Sequence, residues 1–268
     1  MKTGLHGVDD GMRQRVCQVL REVEEKYRVK VLYACESGSR GWGFASPDSD
    51  YDVRFIYVHP PEWYLRVEPQ RDVIELPIDS TLDVCGWEWR KALGLLKRAN
   101  PTLIEWLDSP VIYQQEDAPL AQLRDAVPRY FSPLRARWHY LSMARKNFRG
   151  YLQGETVRLK KYFYVLRPLL AVQWIEAGKG EPPMRFAELL AGTVTDPELL
   201  AEIEILLVAK QRAGEAQYGS RMPAIHTFIQ QQLVEDKERL TLPDNDRRDC
   251  QDLDALLYQV VMENEKNE

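Results

Sequence analysis

Two aspartates that lie two residues apart stand out in this sequence as groups that could do chemistry. Asp50 and Asp52 flank Tyr51 at the start of a run in which side chains of a strand would alternate. Side chains at positions i and i+2 of a strand point to the same side of the sheet, so the two carboxylates would lie together. Two such negative charges repel unless a cation lies between them, and Mg²⁺ prefers oxygen ligands. The spacing predicts a metal site of the kind that phosphoryl transfer uses.

A turn of small residues precedes the aspartates. Gly38-Ser39 is followed by ten residues and then by Asp50. Glycine permits a close approach of the backbone, and the serine adds a hydroxyl group. Exposed N–H groups at such a turn can hold phosphate oxygens, so the turn is predicted to bind a triphosphate.

Later in the chain, further carboxylates could join such a metal site. The candidates are Asp83, Asp79 and Glu75. Asp83 is favoured because the residues around it start as a strand and lead directly into a helical pattern, which places this acid near a strand end.

Four segments of the chain, taken in order, resemble a known family. They read ESGSRGWGFASPDSDYDVRFIYV from Glu36, then LDVCGWEWRKALGLL, NPTLIEWLDSPVIY and KKYFYVLRPLLA. Gly-Ser, a spacer and Asp-x-Asp are typical of the DNA polymerase β superfamily of nucleotidyltransferases. The ordered set resembles its RNA-ligase-associated family, RlaP, along most of the chain. The resemblance implies a third acid from a later strand, which would complete the two-metal cluster and orient the attacking hydroxyl, and it also favours Asp83 for this role.

The resemblance implies a fold and an activity. The fold is α+β, a nucleotidyltransferase catalytic domain with a small mixed β-sheet followed by a helical bundle that closes the nucleotide cleft. The activity is transfer of NMP from an NTP, such as ATP, to an acceptor hydroxyl with release of pyrophosphate, supported by Mg²⁺ or Mn²⁺ at Asp50, Asp52 and Asp83. An RNA terminus as acceptor and a functional association with an RNA ligase are inherited from the family. Two alternatives stay open: a transferase that modifies proteins, and a nucleotide-binding module without catalysis.

Two sets of basic residues are candidates for nucleotide binding. Arg40 follows the Gly-Ser turn and could bind a phosphate bidentately, whereas Arg54 continues the face of the aspartates and could pair with them or with substrate. Either arginine could instead be a surface ion-pair partner. In a later segment, residues three or four apart on a helix form a stripe that could contact a triphosphate and stack on a base, or could be a solvated basic face. The candidates in this segment are Lys160, Lys161, Tyr164 and Arg167.

Length and composition set wider limits. The 268 residues are 44% hydrophobic, enough for two modest domains, which are predicted at 1–115 and 116–268. The net charge of −5 argues against a broadly basic nucleic-acid-binding surface, although a local basic cleft can coexist with it. Four scattered cysteines and four scattered histidines predict reduced thiols and no zinc site. No apolar run is long enough for a membrane span, so a cytoplasmic protein is expected.

Periodicity predicts the elements that position these residues. Strands are expected at 29–35, 52–58, 72–77 and 82–85, in a small sheet with helices on one face. Beyond Pro119 no strand is expected. Helices are expected at 10–27, 87–98, 103–107, 132–153, 155–177, 197–211, 222–240 and 253–263.

Overall fold

The computed structural model describes residues 7–79, 81–213, 218–234, 242–245 and 249–265. The chain divides into two compact units. The sheet unit comprises Gly7–Gly41, Asp50–Tyr130 and the described part of Asp246–Glu268. The helical unit comprises Trp42–Ser49 and the described part of Phe131–Asn245. The division into domains 1–115 and 116–268 stays a prediction.

Strands and helices follow one another along both units. The strands are β1 (Lys30–Glu36), β2 (Tyr51–Val58), β3 (Val73–Glu75), β4 (Leu82–Glu88), β5 (Ile112–Gln115), β6 (Thr156–Arg158) and β7 (Tyr218–Ser220). The helices are α1 (Asp10–Tyr27), α2 (Gly38–Gly41), α3 (Pro61–Tyr64), α4 (Trp89–Lys97), α5 (Pro101–Leu107), α6 (Asp117–Tyr130), α7 (Pro133–Tyr151), α8 (Lys160–Glu176), α9 (Phe186–Thr193), α10 (Pro197–Ala213), α11 (Pro223–Val234) and α12 (Gln251–Glu265).

The sheet unit is built on a five-stranded mixed sheet with the order β3-β4-β2-β1-β5. β2 and β4 run parallel, and the other neighbouring pairs are antiparallel. Because β2 lies at the centre, its residues are supported by a strand on each side. The α+β fold with a small mixed sheet and many helices is therefore confirmed.

Helix α1 has the bounds that the sequence predicts. It begins after Asp9, whose carboxylate accepts a hydrogen bond from the backbone N–H of Met12 (2.9 Å). It ends at Arg28, which adopts a left-handed conformation with a φ of 50°. Its buried positions recur at helical spacing and pack on the sheet: Val16, Leu20 and Val23.

Helices cover both faces of the sheet, so the prediction of helices on one face is wrong. Val53, Phe55 and Tyr57 of β2 belong to the same apolar cluster as the buried positions of α1. Ile56 and Val58 alternate with them, are also fully buried, and therefore point to the opposite side. Helices α4 and α12 contact β2 and supply the cover that this second set of side chains requires.

Strand β4 is longer than the sequence predicts. The helical pattern suggests a helix from Trp87, but β4 pairs with β2 up to the partners Tyr57 and Glu88. The helix then begins at Trp89, and the carboxylate of Glu88 caps it by accepting from the N–H of Lys91 (3.1 Å). Pairing with the central strand therefore prevails over local helix propensity at these residues.

The helical unit also contains two strands, although none is expected beyond Pro119. β6 pairs antiparallel with β7 across three residue pairs. Strands of three residues are too short to show alternation, and β6 occupies the beginning of the helix predicted at 155–177, which starts instead at Lys160. The helix predicted at 222–240 corresponds to α11, and its last residues, 235–240, lie outside the described residues.

The spacer between the Gly-Ser turn and the aspartates belongs to the helical unit. Within residues 42–49, the ring of Phe44 stacks on Phe163 of α8 with a centroid distance of 4.3 Å. The ammonium group of Lys210 donates to the hydroxyl oxygens of the two serines of this segment (2.8 and 3.2 Å). Stacking and buried hydrogen bonds thus fix this segment inside the helical unit.

Candidate active site

The Gly-Ser turn lies directly against Asp52. The backbone N–H of Ser37 donates to the carbonyl oxygen of Asp52 (2.8 Å). Gly38 has a φ of +58°, and a Cβ atom placed on it would lie 2.1 Å from Oδ2 of Asp52. Both the backbone conformation and the space therefore require glycine. Ser39 follows in α2 and is partly exposed.

Two of the three predicted acids lie side by side. Asp52 of β2 and Asp83 of β4 are register partners in the parallel pair, so their side chains share a face. Arg54 bridges them, because its Nη2 lies 3.1 Å from Oδ1 of Asp52 and 2.8 Å from Oδ2 of Asp83. Its Nη1 donates to the carbonyl oxygens of Val53 and Asp83, each at 3.0 Å. Arg54 thus orients both carboxylates and offsets their charge.

The other candidate acids lie in different surroundings. Asp79 is exposed, accepts from the N–H groups of Thr81 and Leu82 (2.8 and 2.7 Å), and pairs with Arg15. These bonds are those of a carboxylate that fixes a turn. Glu75, also exposed, pairs with Arg71 at 2.6 Å. Geometry therefore brings Asp83, and neither alternative, beside Asp52.

Asp50 is placed differently from the expectation of two aspartates inside one strand. It lies immediately before β2, which begins at Tyr51, and its side chain is exposed. Among the described residues, no group of three or more His, Cys, Asp or Glu side chains is arranged to hold a metal ion. The metal role of Asp50, Asp52 and Asp83 therefore stays a prediction.

Glu36 is a fourth acid at this site, and the sequence reasoning did not single it out. It ends β1 and is fully buried. Its Oε1 accepts from the backbone N–H of Asp52 (2.9 Å), and its Oε2 accepts from the hydroxyl of Tyr113 (2.5 Å). Burial raises the pKa of Glu36 to about 7, although the bonds from Tyr113 and Asp52 act in the opposite direction. The signal in the sequence is an acid at the end of the apolar run VLYAC.

Arg40 lies inside the sheet unit. It is 5% exposed, and its guanidinium group lies 3.8 Å from the centroid of the Tyr51 ring. Its charge also lowers the pKa of Glu36, although less than burial raises it. Arg40 therefore contributes to the packing and the electrostatics of the turn, and its predicted contact with a phosphate stays a prediction.

The remaining predicted nucleotide ligands lie on α8 of the helical unit. The ammonium group of Lys161 lies 4.0 Å from the ring centroid of Tyr151 and 4.7 Å from that of Tyr164, which is 39% exposed. Lys160 is partly exposed. Arg167 is buried and donates to the carbonyl oxygen of Met184 (3.3 Å). The predicted stripe is thus accessible at its N-terminal end and buried at its C-terminal end.

The comparisons with known proteins agree with these motifs. The model of a family described as "RNA repair pathway DNA polymerase beta family", RlaP, matches residues 12–259. The chain belongs to this family. The RlaP resemblance expected from the four segments is confirmed, and membership supports a nucleotidyltransferase.

Two individual proteins match over most of this RlaP chain. The Bacillus subtilis (strain 168) protein YcgL, described as uncharacterized, is 47% identical over 253 residues, which are 94% of this chain and 97% of that protein. A solved nucleotidyltransferase-like protein from Exiguobacterium sibiricum 255-15 is 14% identical, and the match covers 93% of this chain and 77% of that one with a TM-score of 0.30. That TM-score is too low to establish a shared fold. Within the described residues of the chain, no helix combines the length and apolarity that crossing a membrane requires.

The contact of Gly38 with Asp52 predicts that Gly38→Ala destabilises the fold more than the same change at another glycine with a positive φ. Gly178 has a similar φ of +70°, but no atom lies within 4 Å of a Cβ placed there. Gly178→Ala should lower the free energy of unfolding by about 1–2 kcal/mol, the cost of a left-handed conformation for alanine. Gly38→Ala should lower the free energy of unfolding by more than this, because the new methyl group must also displace the carboxylate of Asp52. Urea denaturation measures both, and equal losses would contradict this account.

Burial of Glu36 predicts a pH-dependent stability. Its pKa in the folded protein, about 7, is above the value of 4.5 for an exposed glutamate, so the folded state binds more protons between these two pH values. The free energy of unfolding of the wild type should therefore fall, relative to that of Glu36→Gln, as the pH rises from about 4.5 through 7. Denaturation of both proteins across this range, in EDTA, measures the difference. A difference in the free energy of unfolding that does not change with pH would mean that Glu36 ionises like an exposed glutamate.

Proposed function

We propose that this protein is a metal-dependent nucleotidyltransferase that transfers NMP from an NTP, such as ATP, to a hydroxyl at an RNA terminus and releases pyrophosphate. The observation that supports it most is the pair of carboxylates, Asp52 and Asp83, held on one face of the sheet beside the Gly38 turn. The family, described as belonging to an RNA repair pathway, supports RNA as acceptor.

The donor chemistry fits a hard divalent cation, because carboxylate oxygens are its preferred ligands, although no three acids of the described residues are already arranged around one point. Asp52 and Asp83 offer carboxylate oxygens side by side, and Asp50, exposed just before β2, is the candidate for a third ligand. These three residues would hold Mg²⁺ or Mn²⁺. The bound ion would offset charge on the phosphates and lower the pKa of the attacking hydroxyl.

The protein's own contribution is positioning and charge. The N–H groups and the hydroxyl of the Gly38-Ser39 turn bind the triphosphate, with Arg40 as a further candidate. Arg54 holds Asp52 and Asp83 in fixed orientations. Asp83 orients the acceptor hydroxyl and draws its proton away. The hydroxyl oxygen then bonds to the α-phosphorus in line, while the bond to the leaving pyrophosphate oxygen breaks.

The accessible end of the α8 stripe is proposed to serve the nucleotide as well. Lys160 and Lys161 supply cations to phosphates, and the exposed ring of Tyr164 offers a surface for a base. Arg167 belongs to the same proposal. Its burial is also explained without a nucleotide, because it donates a hydrogen bond to the carbonyl oxygen of Met184.

The identity of the acceptor is tested by incubating the protein with each labelled NTP, Mg²⁺ or Mn²⁺, and RNA or protein acceptors. Label on RNA supports the proposal. Label on protein would instead indicate a protein-modifying transferase, and NTP binding without transfer would indicate a nucleotide-binding module. A cytoplasmic setting and an association with an RNA ligase also belong to the proposal, and co-purification from cells would test them.

The carboxylate assignment predicts loss of turnover in three variants. Asp50→Asn, Asp52→Asn and Asp83→Asn each remove a charge with little change in volume. Each should lower kcat by at least about 100-fold, because positioned charge at such a site typically contributes that much or more. Asp83→Asn should lower kcat far more than the affinity for NTP, since it acts on the hydroxyl. Single-turnover kinetics and calorimetry separate these two quantities.

Asp79→Asn is the matched control. It is an exposed acid that fixes a turn, four residues before Asp83, and its variant should keep kcat. A normal kcat in Asp83→Asn together with a loss in Asp79→Asn would move the third carboxylate to Asp79. Retained turnover in folded Asp50→Asn or Asp52→Asn would remove that residue from the metal site.

The α8 proposal predicts weaker nucleotide binding when both lysines are replaced. Lys160→Ala combined with Lys161→Ala should weaken NTP binding by about 1–3 kcal/mol, the range for lost charge-assisted hydrogen bonds. The effect should shrink as salt rises, because both side chains are partly exposed. Calorimetry at two salt concentrations measures this effect. Unchanged affinity for NTP would mean that the stripe is a solvated face or contacts the acceptor instead.

A further inference from the structure

Positive charge is concentrated in one stretch of this acidic chain. Residues 126–175 contain ten Lys and Arg and a single acid, Glu155. The rest of the chain carries 26 Lys and Arg against 40 Asp and Glu. A polyanion that approaches the protein would therefore be attracted to the elements of this stretch, which are mainly α7 and α8.

Many of these ten charges are already engaged in the fold. Arg137 is buried and pairs with Glu176 at 2.8 Å. Arg135 pairs with Asp244 at 3.0 Å. The cations available to a partner must therefore be sought among the exposed positions.

Helix α7 presents two such cations on one face. Lys146 and Arg149 are exposed, and neither forms an ion pair with any described residue. Trp138 and Ser142 share this face at the preceding turns, since the four positions are three or four residues apart, and they line one surface depression with Lys146 and Arg149. We call these four residues the α7 face. The opposite side of the helix is buried, with Ala136, Tyr140, Leu141 and Ala144 in the core.

The exposed tryptophan makes this face more than a solvated basic surface. Trp138 is 46% exposed, and it lies on the same stripe as the two cations. Two of the four side chains of this face are cations and none is an acid, so the face suits a polyanion better than the apolar side of a protein helix. An aromatic ring beside cations is the combination that binds single-stranded nucleic acid, because bases stack on the ring and phosphates meet the charges.

We propose that the α7 face binds single-stranded RNA, with phosphates at Lys146 and Arg149 and a base stacked on Trp138. The choice of RNA among polyanions rests on the proposed function, while binding itself is independent of transfer. The α7 face would hold the acceptor strand. No residue on it takes part in the proposed chemistry.

The experiment measures fluorescence anisotropy of a labelled single-stranded RNA 12-mer with the full chain, in EDTA and without NTP. Lys146→Glu combined with Arg149→Glu should raise Kd at least about 10-fold, because two phosphate contacts become repulsions. The corresponding double alanine variant should reduce the slope of log Kd against log salt by about 1.4, the value for two contacts on a single strand. Trp138→Ala should raise Kd at least about 5-fold, whereas Trp138→Phe should retain most of the affinity.

Arg21→Glu combined with Lys26→Glu on α1 is the matched control. Both residues are exposed, and the change in net charge is the same, so Kd should stay within about twofold of the wild type if attraction is local. Equal losses in the two charge-reversal variants, or unchanged binding in the α7 variant with a normal melting temperature, would overturn the proposal. Normal affinity in Trp138→Ala, with heparin competing as well as unlabelled RNA, would also overturn it, because the face would then bind any polyanion.

Failure of the proposed function is distinguishable from failure of this inference. Asp52→Asn should bind the RNA as the wild type does while it fails to transfer NMP. If the wild type transfers nothing to any acceptor and the α7 variants still lose RNA binding, the α7 face is an RNA-binding surface and the proposed activity is wrong. If transfer to RNA occurs and the α7 variants bind and react normally, the acceptor is bound elsewhere.

Discussion

The bridge that Arg54 forms between Asp52 and Asp83 is the interaction on which the candidate active site depends. Register partners on neighbouring strands lie about 5 Å apart, and at an effective dielectric constant of 20 two negative charges at that distance repel by about 3 kcal/mol. This is a large fraction of the 5–15 kcal/mol that typically separates folded from unfolded proteins. Arg54, which is only partly exposed, contacts one oxygen of each carboxylate and offsets this repulsion. The sheet can therefore keep two acids side by side without a bound ion.

Backbone contacts on the other side of Asp52 complete this arrangement. The N–H of Asp52 donates to buried Glu36, and its carbonyl oxygen accepts from Ser37. Its carboxylate occupies the space that a side chain on Gly38 would need. The backbone N–H, the backbone carbonyl and the carboxylate of Asp52 therefore each adjoin one of three consecutive residues at the end of β1 and just after it. Glu36 occupies an apolar environment where a carboxylate is costly, which its raised pKa reflects. The carboxylate of Glu36 is stabilised there by the backbone N–H of Asp52 and the hydroxyl of Tyr113, which both donate to it.

The sequence predicts these elements unequally, for physical reasons. Helix α1 and strand β2 have strong periodic patterns, and their structure agrees with them. The pairing of Asp83 with Asp52 follows from the parallel register, and the sequence only suggests it through the start of a strand. Glu36 and the strands β6 and β7 escape such reasoning, because a buried acid is recognised by its partners and three residues show no period. Which faces of the sheet are covered by helices is likewise decided by the topology of the chain, and the local sequence pattern does not reveal that topology.

The course of the chain through the two units has a consequence for how the protein can be divided. The segment 42–49 belongs to the helical unit although it lies between strands β1 and β2 of the sheet unit, and α12 returns to the sheet unit from the far end of the sequence. Each unit is therefore assembled from discontinuous stretches. No single cleavage point separates one unit intact from the other, and a fragment that ends after β5 would lack the helix α12 that contacts β2. Exchange of one unit between relatives would therefore require several coordinated junctions, so the two units are expected to be inherited together.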